Sequence, residues 1–394
     1  MSYSESHNKT TVTRTSWKAK EIAKLSLILI LRILLKALCI FPIKKNRIVF
    51  HSFKGKQYSC NPKAITEYLI KEYPNSFEIV WAFREPEKFN ELRNRGIVIV
   101  PYISLKRVFW EVCSGFSINN FGSFNWLPLR KSQVHLNTWH GGGCYKRVSS
   151  DPLSDNARRL TSEKTTHMIS SSAFFSNYVV RGEFGFKREI LEVGMPRNDI
   201  FFYKDRVAYL DRKVRNYYGI GEDKAIVLYA PTWRFDTNIP HPDLKRVAFA
   251  VKEYTGKATV LLSRTHNFLG ETIDEAIDVT SYPDMQDLLC AADCLITDYS
   301  SSIWDYSFLY RPCFLYVNDL DDYINSRGFD RDIDTWGFPV CRNNDELYGA
   351  IVHFDKDDFI KKMKKHHKDL GSFEDGHATE KICSFLCKQL KSCQ

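Results

Sequence analysis

His140 leaves an apolar, β-branched run and enters three glycines and two cations, in Asn137-Thr138-Trp139-His140-Gly141-Gly142-Gly143-Cys144-Tyr145-Lys146-Arg147. Glycines at such a place let backbone N–H groups come close to a ligand. An imidazole that titrates near 6.5 can take a proton from an attacking hydroxyl at neutral pH, and Lys146 and Arg147 can steady phosphate charge. Taken alone, the same residues also describe a tight turn with a structural histidine. His266 ends another apolar run in Ser263-Arg264-Thr265-His266-Asn267, beside a cation. Two strand-end histidines, one from each half of the chain, can face a shared cleft, and that favours chemistry over two unrelated turns.

The segment Asp298-Tyr299-Ser300-Ser301-Ser302-Ile303-Trp304-Asp305-Tyr306 follows a strand-like run and opens an aromatic-rich helix. Hydroxyls at an N-cap and the unpaired N–H groups of a helix make a phosphate-binding end, while a plain serine cap is the bland reading. Asp305, one turn inside, is either a solvated acid or a partner for ligand hydroxyls. Ala230-Pro231-Thr232-Trp233-Arg234 and Gly194-Met195-Pro196-Arg197-Asn198-Asp199 each put an arginine at a strand end near the hinge between the halves. Bidentate recognition of a phosphate is open to both arginines, and so is a surface position with no task.

These segments need a scaffold, and the runs between them supply one. Residues 47–53, 77–83, 96–102, 115–121, 134–140, 167–172 and 189–194 are short, rich in Val, Ile and Phe, and apolar on both faces. That is the pattern of parallel strands covered by helices. A helix over 201–218 leads out of this half, and a second series follows at 225–232, 258–266, 276–282, 293–299 and 312–317. The expected fold class is α/β, with two Rossmann-like domains in tandem and a closing helix near the C-terminus. Ligands of open parallel sheets lie beyond the carboxyl ends of strands, where the motifs above fall. A length of 394 residues, at roughly 150 per domain, agrees with two domains and an appendage.

The appendage is residues 22–43, IAKLSLILILRILLKALCIFPI, behind a basic leader. Its length suits a bilayer span, but Arg32 and Lys36 near its middle would each cost about 2.5–3.5 kcal/mol there. Lys24, Arg32 and Lys36 fall at about 0°, 80° and 120° around a helix. Gathered on one side, they favour a helix lying in the membrane interface with Leu25, Leu29, Ile33 and Ile40 in the acyl boundary. A spanning anchor and a helix packed on its own protein remain open, whereas a cleaved signal peptide is disfavoured by the late start and the lack of a small-residue cleavage site. Residues 1–43 carry 7 lysines and arginines against 2 acids, +5 of the net +9, and no nucleic-acid motif accompanies them. Eleven irregularly spaced cysteines with no CxxC pair suit reduced thiols in a cytosolic compartment better than zinc or a disulfide framework.

Together WHGGGCYKR, GMPRND, APTWR, RTH, TDYSSSIWDY, RGFD and EDGHA resemble the motif series of the CDP-glycerol glycerophosphotransferase family, which includes teichoic-acid and capsule-building enzymes. The resemblance spans about residues 45 to 385 and implies a GT-B-type pair of domains. The expected divisions are 1–43 (leader and membrane helix), 44–200 (acceptor side), 201–370 (CDP-donor side) and 371–394 (closing helix). It further implies His140 as general base and a catalytic His266, with Gly141, Gly142, Gly143 and Cys144 around the transferring group. Arg197, Pro231, Thr232, Arg264, Thr265, Ser300, Ser301 and Asp305 match donor-contacting positions, and Arg234 joins them in compensating charge. Many family polymerases carry HGTPLK where this chain has HGGGCYK, a departure that touches acceptor identity more than donor chemistry. The implied reaction moves glycerol phosphate from CDP-glycerol to a hydroxyl of a lipid-linked polyol-phosphate or polysaccharide acceptor, at the cytoplasmic face of an anionic membrane. CDP-glycerol is a substrate; no cofactor, no obligatory metal and no nucleic acid are expected. A CDP-ribitol or nucleotide-sugar enzyme of the same fold, and a silent assembly scaffold, are the alternatives.

Overall fold

A run that is apolar on both faces cannot have one face in water, so each such run is driven into the middle of a sheet with helices on both sides. The computed structural model describes residues 23, 25–122, 124, 126–143, 145–148, 164–232, 241–265 and 275–392. The first series forms one all-parallel sheet of β1 (Lys44–His51), β2 (Glu78–Phe83), β3 (Val98–Pro101), β4 (Ser114–Asn119), β5 (Val134–Asn137), β6 (His167–Ser170) and β7 (Glu189–Glu192). Their spatial order is 3-2-1-4-5-6-7. The second series forms another parallel sheet from β8 (Ala225–Tyr229), β9 (Thr259–Ser263), β10 (Ile277–Asp278), β11 (Cys294–Thr297), β12 (Cys313–Tyr316) and β13 (Val340–Cys341), in the order 10-9-8-11-12-13. Every expected run contains a strand, but each strand stops short of the chemically interesting residues, which turn out of the sheets as loops. β13, two residues long, has too little sequence to signal itself. The helix expected over 201–218 is Lys204–Tyr218, behind a tight 3-10 turn at Pro196–Phe202. It ends in Gly219 at φ +68°, a left-handed C-terminal stop that glycine takes without a Cβ penalty.

In both sheets the strand order reverses at one place, between β1 and β4 and between β8 and β11. Such a reversal opens a crevice beyond the carboxyl ends of the flanking strands. Core packing separates the two sheets except at the C-terminus and at Tyr145, which is buried in the core of the second sheet. The last helix, Ala378–Ser392, buries Ile382, Cys383 and Leu386 in the core of the first sheet. The chain thus crosses between the sheets twice, at 193–203 and again before residue 378. The described cysteines are all free.

The two crossings are fastened to each other. Asp199 of the first accepts from the backbone N–H groups of Ala378 (3.0 Å) and Thr379 (2.8 Å) of the second. Glu374 accepts from Met195 N and Asn198 Nδ2, both at 3.0 Å, and from Trp304 Nε1 of the second sheet's domain, also at 3.0 Å. Gly194, at φ +92°, makes room for this carboxylate, since a Cβ there would lie 2.8 Å from Glu374 Oε2. Burial pushes Glu374 up to about 8, against the pull of its three donors. Beside it, Arg197 Nη2 meets Asp305 Oδ2 at 2.7 Å with both side chains almost wholly buried. Gln286 Nε2 donates to the same carboxylate at 3.2 Å. Lys63 and Asp284 form a third tie between the domains at 2.7 Å. Asp305 is therefore no solvated acid, and Arg197 no surface arginine.

Removing one member of a buried ion pair strands the other, which typically costs about 3–5 kcal/mol. Asp305→Ala should lose stability of this order in chemical denaturation. The double variant Arg197→Met/Asp305→Leu should recover part of the loss, because no charge is left unpaired.

Candidate active site at the seam of the two sheets

The residues at the reversal of the first sheet are His51 at the end of β1, Asn119 at the end of β4 and Asn120 just after it, and the loop after β5 that carries His140. Asn120 works twice here. Its carbonyl oxygen lies 2.7 Å from His140 Nδ1, and its side-chain Oδ1 accepts from Phe53 N at 2.8 Å. With Nδ1–H donating to a carbonyl, Nε2 is left as the nitrogen that carries the lone pair, as a base requires. The imidazole is stacked on Phe121 (centroids 5.1 Å apart, planes at 8°) and met edge-on by Phe53 at 5.6 Å. Burial lowers its pKa to about 4, opposed by the Asn120 bond and reinforced by the charges of Arg197 and Lys146. His140 is thus neutral across the physiological range.

Backbone strain gathers around this ring. Trp139 has φ +49°, Phe53 +45° and Lys54 +56°, none of them a glycine. Conformations of this kind cost of order 1–3 kcal/mol each and persist where the surroundings impose them. Asn61 Nδ2 holds the carbonyls of Thr138 (3.0 Å) and Trp139 (3.2 Å), and Asn61 Oδ1 accepts from Arg197 N at 3.1 Å. Arg197 Nη1 in turn donates to the His140 carbonyl at 2.7 Å. The arginine of the joint is therefore also the clamp on the histidine loop.

The three glycines have a different reason from the one their sequence suggests. None of them takes a positive φ. A Cβ on Gly142 would lie 2.5 Å from Trp304 Cδ1, one on Gly143 2.7 Å from Trp304 Cβ, and one on Gly141 3.0 Å from Ser301 Oγ. They are small because the opposite domain packs directly on them, so the loop is a spacer in the seam. Lys146 pairs with Phe329 in an isolated bridge, and Arg147 Nε stands 3.6 Å from Asp330 Oδ1, which seats this loop on the RGFD segment.

Across the seam, the carboxyl ends of β8, β9 and β11 bring together Pro231, Thr232, Arg264, Thr265, Ser300 and Ser301. Thr232 N donates to Asp298 Oδ1 at 2.7 Å, and Thr297 Oγ1 to the Ala230 carbonyl at 2.6 Å, which locks the reversal point. Arg264 N donates to the Tyr229 carbonyl at 2.9 Å, and its Nη1 to the Tyr282 carbonyl at 3.0 Å. Thr265 accepts from Thr280 Oγ1 through its carbonyl. The serines do not cap as expected. The helix Ser302–Ser307 has six residues, and Ser301 makes no side-chain capping bond. Cys144, Arg234 and His266 lie outside the described residues. Sequence reasoning missed Asn61, Asn120, Phe121, Trp304 and Glu374 as parts of the site. Glu374 stands inside the EDGHA motif and Trp304 inside TDYSSSIWDY, which were their signals; the others act through contacts between distant segments.

The geometry of two parallel sheets meeting at their strand ends agrees with comparisons to known proteins. The family described as CDP-glycerol:poly(glycerophosphate) glycerophosphotransferase matches residues 33–388. The teichoic acid poly(glycerol phosphate) polymerase of Staphylococcus epidermidis is 30% identical over 382 residues, which are 89% of this chain and 51% of the relative. The chain thus spans about half the length of that polymerase. The teichoic acid glycerol-phosphate transferase of Staphylococcus aureus is 30% identical over 373 residues, 87% of this chain and 93% of that one. Among solved structures, a histidine-to-asparagine variant of the wall teichoic acid polymerase TagF soaked with CDPG has a TM-score of 0.80 at 26% identity, covering 97% of this chain and 98% of the other. With the family matching residues 33–388 and a 30% identical relative covered over 93% of its length, the chain belongs to the CDP-glycerol:poly(glycerophosphate) glycerophosphotransferase family.

Proposed function

We propose that this protein transfers glycerol phosphate from CDP-glycerol to a hydroxyl of a membrane-linked, teichoic-acid-like or capsular acceptor and releases CMP. The observation that supports it most is the contact of the glycines after His140 with Ser301 and Trp304, which brings the loop that carries a neutral, tautomer-fixed imidazole up to the strand-end cluster of the other domain. In the proposed step His140 Nε2 takes the acceptor's hydroxyl proton. The freed oxygen bonds to the phosphorus bearing glycerol as the bond to the CMP oxygen breaks. The first domain serves the acceptor and the second the donor. Arg264 and Thr232, with His266 and Arg234, counter the charge on the leaving phosphate, so the work is mostly positioning and electrostatics. Because cations and hydroxyls fill this role, we extend the proposal to transfer without an obligatory metal.

The acceptor's membrane attachment has its own support. Residues 25–35 are helical and run into a 3-10 turn at Lys36–Ile40. Leu35, Leu38 and Cys39 pack on Val108, Val112 and Cys113 of the first domain. The opposite side shows Leu29, Ile30, Ile33, Leu34 and Ile40 to solvent, each more than half exposed. Ile103 and Leu105, 77% and 87% exposed, stand at the start of the helix Leu105–Val112, which packs on the 3-10 turn. Among the described residues no helix is long and apolar enough to cross a membrane. An apolar face of this kind beside Lys36 and Arg32 suits docking in an anionic bilayer interface.

His140→Ala should lower CMP release roughly 10²–10⁴-fold in a folded protein; near-native turnover would remove His140 from the base role. Since the base form of His140 persists down to a pKa of about 4, kcat/KM should not fall between pH 7 and 5.5, where an ordinary imidazole would already be protonating. EDTA should leave CMP release unchanged, and loss restored by Mg²⁺ would overturn metal-independent transfer. Replacing Ile33, Leu34 and Ile40 together by Asp should abolish sedimentation with vesicles containing anionic phospholipid while leaving the melting temperature close to that of the parent protein.

A further inference from the structure

The loop between β1 and the helix Cys60–Glu72 has no task in the step described above, yet it is held in an unfavourable shape. Phe53 and Lys54 are successive left-handed residues, followed by Gly55 at φ +79°. Fixed groups enforce this run. Asn120 Oδ1 accepts from Phe53 N, Arg84 Nε donates to the Lys54 carbonyl at 3.0 Å, and Arg84 N donates to the Gly55 carbonyl at 2.7 Å. Gly55 lies so close to Tyr102 that a Cβ would come within 2.6 Å of its ring. The result is that the backbone from which Lys54 projects is held at one place.

That place is one ring away from the base. Lys54 Nζ stands 4.4 Å from the centroid of Phe121, whose ring lies flat on His140 with centroids 5.1 Å apart. Phe121 is 40% exposed and Lys54 is exposed. Among the described residues the Lys54 ammonium forms no salt bridge, so its charge is available to a ligand. We propose that Lys54 binds the phosphate of the acceptor's terminal polyol-phosphate unit and so sets the chain end with its hydroxyl against His140. The inference rests on the transferase reading and names the acceptor class within it: an anionic, phosphate-bearing chain end in preference to a neutral one.

The chemistry fits the residue type. In a glycerol phosphate chain the last phosphate is separated from the terminal hydroxyl by three carbons, so a cation near the base meets that phosphate when the hydroxyl meets the imidazole. Lysine supplies a point charge with no planar geometry to satisfy, which suits a phosphodiester whose orientation is set by the reacting end. This contact is made equally in the ground and transition states, so its loss raises KM and spares kcat.

The test uses the full chain with a soluble glycerol phosphate oligomer and, in parallel, a neutral polyol acceptor without phosphate. Lys54→Ala should raise KM for the oligomer roughly tenfold, leave kcat within about twofold, and leave KM for CDP-glycerol and for the neutral acceptor unchanged. Lys54→Arg should recover most of the loss, and the oligomer KM of the parent protein should rise with salt more steeply than that of Lys54→Ala. Calorimetric binding of the oligomer reads the same contact without turnover. An unchanged KM and Kd for the oligomer in Lys54→Ala would overturn the inference, as would equal losses with both acceptors. Absence of CMP release from the parent protein with every acceptor would instead sink the transferase reading, and oligomer binding would still decide the role of Lys54.

Discussion

Arg197 and Asp305 meet in the seam between two separately cored sheets, with almost no water at either side chain. Withdrawing two charges from water is expensive, and the pair holds only in a geometry where each charge is also hydrogen-bonded. Gln286 supplies a bond to Asp305, and the His140 carbonyl takes one from Arg197. The sheets are therefore held at one relative position, and the two chain crossings, tied by Asp199 and Glu374, share it. Hydrophobic packing alone would tolerate sliding at this seam; a buried ion pair does not.

The histidine site inherits its geometry from that joint. Arg197 grips the loop carrying His140 from behind, Trp304 sets how thick that loop can be, and Asn120 fixes the imidazole tautomer. The aromatic rings around His140 lower its pKa by burial while leaving it a neutral acceptor. Strained backbone at Phe53, Lys54 and Trp139 lies within the same few contacts. Strain there is maintained by well-bonded neighbours, a pattern suited to holding groups ready before a ligand arrives.

The first domain also carries the exposed apolar surface of residues 29–40 and of Ile103 and Leu105. In the proposed reading one domain thus meets both the membrane and the acceptor, while the other meets the nucleotide. In that reading the lipid-linked substrate and the base belong to one domain, and the soluble donor to the other across the seam.

Much of this was legible in the residues. Doubly apolar runs announced both parallel sheets, because a strand buried on two faces tolerates few polar residues, and the motifs duly fell at strand ends. The position of His140 and the clustering of Pro231, Thr232, Arg264 and Ser301 followed from that register. What composition and spacing left undecided were the pairings between distant segments. Arg197 was open to a phosphate or to a surface position, and the structure pairs it with Asp305 in a buried ion pair. Asp305 was open to a solvated position or to ligand hydroxyls, and the glycines after His140, which the sequence tied to a ligand, also give clearance to Trp304. Local sequence determines which elements form and which residues leave them, because propensity and burial act along the chain. Burial of charge and clearance depend on atoms from residues more than a hundred positions apart, and tautomer choice on a carbonyl twenty residues away on another strand's end, so only the folded arrangement decides them.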